Sequence, residues 1–207
     1  MSKKARNESA GVLCGSSLIS LQCFGIPMHQ TDEPVFVEEY NPNWVSWFQR
    51  LCVFLEPILG QSFIRIEHIG STAIPDMVAK PIIDLDIVIR EYDFESVKLN
   101  LEAAGYEHQG DLGITGREAF VLLDRNLEKQ LSPHHLYVCD QNSDELHRHL
   151  AFRNYLRVHK TEAKAYSDIK LKLVKQHNRN RELYMRGKDQ LIQAILQRAL
   201  TWASEKE

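Results

Sequence analysis

A chain of 207 residues, 43% hydrophobic and 26% charged, can bury one core, and it lacks the run of about 18 apolar residues that a membrane-spanning helix needs. Four scattered cysteines without a CxxC exclude a zinc knuckle and a disulfide framework, so a reducing cytoplasm is the expected compartment. The net charge of −3 hides an asymmetry: 13 Lys/Arg against 4 Asp/Glu from His147 to Arg198, and 12 against 24 elsewhere. A basic half of this kind suits an anionic partner such as a nucleotide or nucleic acid, or else a solvated helical surface.

Residues 1–34 open with the basic stretch Met1–Arg6 and a mixed apolar stretch Val12–Ile26, and read as a disordered extension rather than a targeting peptide. Val35–Tyr40 reads as a short strand. Asn41-Pro42 starts a helix whose inward residues run from Trp44 to Ile58 and which Gly60 ends. Phe63–His68 alternates as a strand and runs into Gly70-Ser71-Thr72, followed by a connector over Ala73–Ala79. From Pro81 to Arg90 comes a strand, then a helix over Tyr92–Ala104 and a short strand at Tyr106–His108. Gly110, Gly113 and Gly116 punctuate a loop. Arg117–Asp124 and His134–Asp140 read as strands joined by a polar connection that a hairpin would satisfy. The rest is helical: one helix behind an Asn142/Glu145 capping box, a second capped by Thr161, and a third from Asn180 to Trp202.

The chemistry concentrates in IIDLDIVI. Side chains alternate on a strand, so Asp84 and Asp86 share a face while Ile83, Leu85, Ile87 and Ile89 form the core face. Two like charges in mid-strand are costly unless a cation or water offsets them, and a divalent metal is one such cation. Upstream, the strand-Gly70-Ser71-turn arrangement presents backbone N–H groups and a hydroxyl to a phosphate. Adjacent histidines on a strand point to opposite faces, and no thiol joins them at ligand spacing, so zinc is not expected.

The hydrophobic-Gly-Ser segment, followed a dozen residues later by Asp-hydrophobic-Asp, resembles the signature of the polymerase-β-like nucleotidyltransferase superfamily. Together, HIGSTAIPDMVAKPIIDLDIVI, GITGREAF, SPHHLYV and HLAFRNYLR resemble the GrpB family, a branch of that superfamily, over about Val35 to Leu200. The resemblance implies an α/β (α+β) fold. A minimal mixed-sheet core with flanking helices would occupy 35–141 and a helical C-terminal part of the same domain 142–203. It implies Mg²⁺ on Asp84 and Asp86, phosphates of a nucleoside triphosphate on Gly70 and Ser71, and nucleotidyl transfer to an unidentified acceptor. The alternative is a non-catalytic module that binds a nucleotide or CoA-related ligand. Some relatives are fused to a dephospho-CoA kinase domain, which brings in a CoA-pathway partner by analogy.

The superfamily's third acid is not evident. Asp124 sits at a strand end, and His135 either takes that acid's place as ligand or base or catalysis is absent. Thr72 belongs to the phosphate turn. Lys80 is a candidate phosphate contact with an ordinary snorkelling lysine as its rival, and Arg117, after Gly116 in the glycine-rich loop, is a candidate phosphate clamp. His149, Arg153 and Arg157 line one helix face at four-residue spacing, where they either dock a phosphorylated ligand or form salt bridges. Lys170 and Lys188 belong to the same basic half. RNA binding is the weaker reading, since no aromatic-interleaved basic platform is visible.

Overall fold

The computed structural model describes residues 34–206, so the extension expected ahead of Val35 lies, but for Pro34, outside the described residues. The elements are α1 (Asn43–Leu59), β1 (Arg65–Ile69), β2 (Ile83–Ile89), α2 (Phe94–Ala103), β3 (Tyr106–Gly110), β4 (Arg117–Leu122), α3 (Arg125–Leu131), β5 (His134–Asp140), α4 (Asp144–Val158), α5 (Lys160–His177) and α6 (Arg181–Ser204). The fold is mixed α/β, as expected: five strands in the order β1-β2-β5-β4-β3, with only β2 and β5 parallel.

Strand β2 is central because both of its faces are covered. One face meets α1 and α2, where Leu85, Ile87 and Ile89 pack with Leu51, Leu55, Val97 and Leu101. The other carries Asp84, Asp86 and Val88 and is roofed by α4, with Val88 against Cys139 and Leu146. The outer face of α4 packs in turn on α5 and α6 through Phe152, Leu156, Ile192 and Ile195. The molecule is thus layered as helices, sheet, α4, and then the α5–α6 pair. No helix among the described residues is long and apolar enough to cross a membrane.

Four local expectations are corrected. Val35–Tyr40 is not a strand. It makes a single bridge, Glu38 with Ala79, because it has no extended neighbour to pair with. The connection between β4 and β5 is not a hairpin but contains α3, since Asp124 turns its carboxylate onto the Asn126 and Leu127 N–H groups and starts a helix. The cap of α4 is Ser143, whose hydroxyl accepts from Leu146 N–H, rather than Asn142. Helix α5 begins at Lys160, ahead of Thr161, with His159 at its cap.

Helices α5 and α6 approach closely at Gly187. A Cβ built there would lie 2.3 Å from Leu173 Cδ2, so a hydrogen at that position is what allows the two helices to interlock. Gly187→Val is expected to lower stability by about 1–3 kcal/mol through overpacking. Adding Leu173→Ala should restore part of that loss in a urea-denaturation cycle, since the two positions share one space.

Candidate functional site

The parallel register places Asp84 beside His135 and Asp86 beside Tyr137, while β1 sets Ile69 and Glu67 opposite the same two aspartates. Each aspartate has its own histidine. Asp84 Oδ1 pairs with His135 Nδ1 at 2.7 Å. Asp86 Oδ2 pairs with His149 Nδ1 at 2.8 Å, and His149 Nε2 lies 3.2 Å from Glu145 Oε1. The two pairs differ in exposure: Asp84 and His135 open onto solvent, whereas Asp86 is 0% exposed.

Burial alone would neutralise His149, but the Asp86 and Glu145 carboxylates override it and raise the imidazole from 6.5 to about 10. A protonated imidazole thus supplies the cation that Asp86 needs. Below this cluster Arg117 is fully buried, its guanidinium 4.3 Å from the centre of the Tyr137 ring. Among the described residues its nitrogens find no hydrogen-bond partner, and it does not line the pocket described below.

The row His149, Arg153, Arg157 does lie on one face of α4, and the protein's own groups occupy it. Arg153 Nη1 donates to Glu67 Oε2 at 2.7 Å and to the His68 carbonyl at 2.9 Å, and Arg157 Nε donates to the Ala73 carbonyl at 2.9 Å. Successive turns of α4 therefore grip β2, β1 and the Gly70 turn. Glu67 is a third carboxylate on the aspartate face, on a strand that precedes the pair, and Arg65 and Arg153 hold it.

Gly70 adopts φ +69°, and a Cβ there would stand 2.2 Å from Asp84 Oδ2. Glycine lets the turn pass directly over the aspartate. Beyond it, Thr72 Oγ1 donates to the Ile82 carbonyl and is joined at 3.0 Å to His68 Nε2. Burial pulls His68 down to about 4, so its ring is neutral.

On the outer side of this turn a pocket of about 90 Å³ is lined by Ser71, Thr72, Lys80, Asp84 and His135 from the sheet side. Tyr166, Lys170, Arg181, Tyr184 and Lys188 line it from α5 and α6. Lys170 Nζ donates to Ser71 Oγ at 3.1 Å and to the Val78 carbonyl. Lys170 also lies over the Tyr166 ring, and Lys188 over the Tyr184 ring, at 4.4 and 4.8 Å. Neither ammonium forms an ion pair with a carboxylate among the described residues. Burial and the nearby Lys188 push Lys170 well below its usual range; burial, with Lys80 close by, lowers Lys188 from 10.5 to about 8.

Of the residues expected from sequence, Ser71, Thr72, Lys80, Asp84 and His135 come together around one cavity, and Gly70 lies against Asp84 without lining it. Asp86, Arg117, Arg153 and Arg157 stand behind it. Sequence reasoning gave Lys170 and Lys188 little weight and did not single out Tyr166, Tyr184 or Arg181. The signal that would have found them is Tyr-x-x-x-Lys, present once on α5 and once on α6 at the spacing that stacks the two side chains on one helix face.

The magnesium implied by the superfamily resemblance can be tested on the donor set. Asp86 Oδ1 has no hydrogen-bond partner among the described residues and would be the spare ligand. Yet Oδ2 of the same carboxylate is held by a charged imidazolium, Glu67 is held by two arginines, and only Asp84 reaches the pocket. A dication beside His149 would meet like charge, and no group of three or more His, Cys, Asp or Glu suited to a metal occurs among the described residues. In this arrangement the residues do not fit a magnesium ion bridging Asp84 and Asp86.

His149→Ala should cost about 3–5 kcal/mol at pH 6, because it strands buried carboxylates. A group whose folded pKa is raised stabilises fully below its unfolded value of about 6.5 and loses that contribution as pH climbs toward about 10. The stability gap to wild type should therefore narrow over that window, as followed by chemical denaturation.

Comparison with known proteins places this arrangement. The GrpB protein family matches residues 34–198. The chain is 37% identical over 164 residues to UPF0157 protein YqkA of Bacillus subtilis, covering 79% of this chain and 46% of that protein, so it spans about half of that relative's length. It is 31% identical to glutamate-rich protein GrpB of Alkalihalophilus pseudofirmus over 78% of this chain and 94% of that one. The crystal structure of GrpB from Enterococcus faecalis superposes with a TM-score of 0.70 at 35% identity, covering 81% of this chain and 99% of the other. With the family match spanning most of the chain and a solved relative sharing its fold, the chain belongs to the GrpB family.

Proposed function

We propose that the chain binds the phosphoryl end of a nucleotide or another phosphorylated small molecule, CoA-related compounds included, in the pocket between the Gly70 turn and helices α5 and α6. The observation that carries this reading is the pair of buried ammonium groups, Lys170 and Lys188. Lys170 bonds Ser71, Lys188 lines the same pocket with Lys80, Arg181 and Asp84, and among the described residues neither lysine forms an ion pair with a carboxylate. Burial opposes the charge on both amines, and a ligand phosphate would supply countercharge and acceptors. Tyr166 and Tyr184 are themselves buried and carry a lysine over their rings, so they support the cations rather than offer an open platform for a base. The pocket is built for the phosphoryl group, with the remainder of the ligand lying outside it.

Magnesium-dependent nucleotidyl transfer is the second reading, favoured by the spare Oδ1 of Asp86. It requires His149 to release that carboxylate. In calorimetric titrations with ATP, inorganic pyrophosphate and CoA, the binding reading expects saturable association in the presence of EDTA. A requirement for Mg²⁺ would transfer support to the second reading, and the absence of binding by all three ligands would sink both.

Lys170→Met should raise the thermal stability of the ligand-free protein, because it removes a buried charge while keeping volume. The same variant should weaken pyrophosphate binding by roughly tenfold or more, the worth of one charge-assisted hydrogen bond. The pH dependence follows from Lys188. Its free-state value near 8 means that above this pH the ligand must bring a proton with it. Affinity should therefore fall as pH rises from 8 to 10 and hold steady just below 8.

A further inference from the structure

The Asp84–His135 pair lies inside the pocket, apart from the lysines that make it a phosphate site, and the binding reading leaves it without a task. Three facts define it. His135 Nδ1 is taken by Asp84 Oδ1 at 2.7 Å. Asp84 is fixed in turn, since β2 pairs on both sides and the Gly70 turn closes over its Oδ2. His135 and Asp84 both line the cavity, 24% and 19% exposed, and among the described residues no hydrogen bond holds Nε2 of His135. In its neutral form an imidazole that donates Nδ1–H to a carboxylate carries its lone pair on Nε2. An oriented ring nitrogen is thus available beside a cavity that Lys170 and Lys188 also line.

We propose that His135 is the general base of a metal-independent hydrolysis of a phosphoanhydride seated in this pocket, with Asp84 as its positioning residue. The proposal rests on the phosphoryl-binding reading above. In the step, Nε2 takes a proton from a water molecule as the water oxygen forms a bond to the terminal phosphorus. The bond from that phosphorus to the bridging oxygen breaks, and its electron pair leaves with the remaining phosphate. Lys170, Lys188 and Lys80 neutralise the charge on the phosphoryl oxygens, the part a metal ion plays elsewhere. The imidazolium, stabilised by Asp84, then returns its proton to solvent. The products are orthophosphate and the shortened phosphate, and no oxidant or second substrate is needed. The buried Asp86–His149–Glu145 cluster takes no part. Its charge is already balanced, and it holds β2 and α4 together beneath the reacting group.

The test follows orthophosphate release from inorganic pyrophosphate, tripolyphosphate and ATP by the whole chain in EDTA, alongside calorimetric binding of pyrophosphate. The proposal expects release without metal and a loss of 10²-fold or more in His135→Gln, the usual contribution of a general base. Pyrophosphate affinity of His135→Gln should stay within about threefold of wild type, since the lysines are untouched. In Asp84→Asn, the rate should fall and the acidic limb of the pH–rate profile should move to lower pH, because the imidazolium has lost its carboxylate. A residue of merely structural importance would leave that limb in place. Binding of pyrophosphate without release from any of the three substrates overturns the catalytic proposal and leaves the binding reading intact. Release that persists in His135→Gln also overturns it. Absence of binding removes both.

Discussion

Two carboxylates on one face of a central strand set the terms for the rest of this fold. Strand β2 cannot be buried on that side unless both charges are met, and the protein meets them by two different routes. Asp86 lies under α4 and is answered by an imidazolium from that helix, with Glu145 at its other side. Asp84 is answered by a histidine on the neighbouring strand and remains open to solvent. The same sequence motif thus yields one aspartate that fastens the roof helix to the sheet and one that lines the pocket. The difference comes from which element covers each residue, not from anything in the strand itself.

Helix α4 acts as the fastener along its whole length. His149, Arg153 and Arg157 reach β2, β1 and the turn in succession, so the polar contacts of one helical face add to the apolar contacts that Leu146, Leu150 and Phe152 make with the same segments. This explains why the helix buries Glu145, His149 and Arg153 as well as Leu146, Phe152 and Leu156. Breaking any rung of such a ladder exposes a partner charge in a site with little water to solvate it. The pocket follows the opposite logic. Lys170 and Lys188 are buried there without an ion pair to a carboxylate among the described residues, so burial works against the charge on both amines.

Much of this was legible in the sequence, and the limits are physical. The alternation in β2 identified both the core face and the acid pair, since strand periodicity is a local property. The Gly-Ser turn was legible because close backbone approach demands glycine, and Gly70 does lie against Asp84. The partners of those groups were less legible. His149 was grouped with Arg153 and Arg157 as a basic row, but helical spacing states only that residues share a face, not whether the face meets solvent or a buried aspartate. Lys170 lies 99 residues from Ser71 in sequence, and nothing local couples them. The seven residues of α3 carry too little periodicity to declare a helix, so the sequence reads there as a polar connection that a hairpin would satisfy, and only the Asp124 cap in the fold reveals the helix. Val35–Tyr40 has the composition of a strand and lacks only a neighbour, which no single segment can reveal.

The parallel pairing of β2 with β5 has a consequence for how the protein is made. Asp84 and His135 are separated by 51 positions, and a whole crossover of two helices and two strands must be in place before they meet. The lysine wall comes from helices that leave the ribosome later still. Contacts of such long sequence separation form slowly, after local elements have condensed. The cavity is therefore among the last features to assemble. A nascent or partly unfolded chain presents its acids and its basic helices separately, and the cavity lacks its second wall until the last helix has docked.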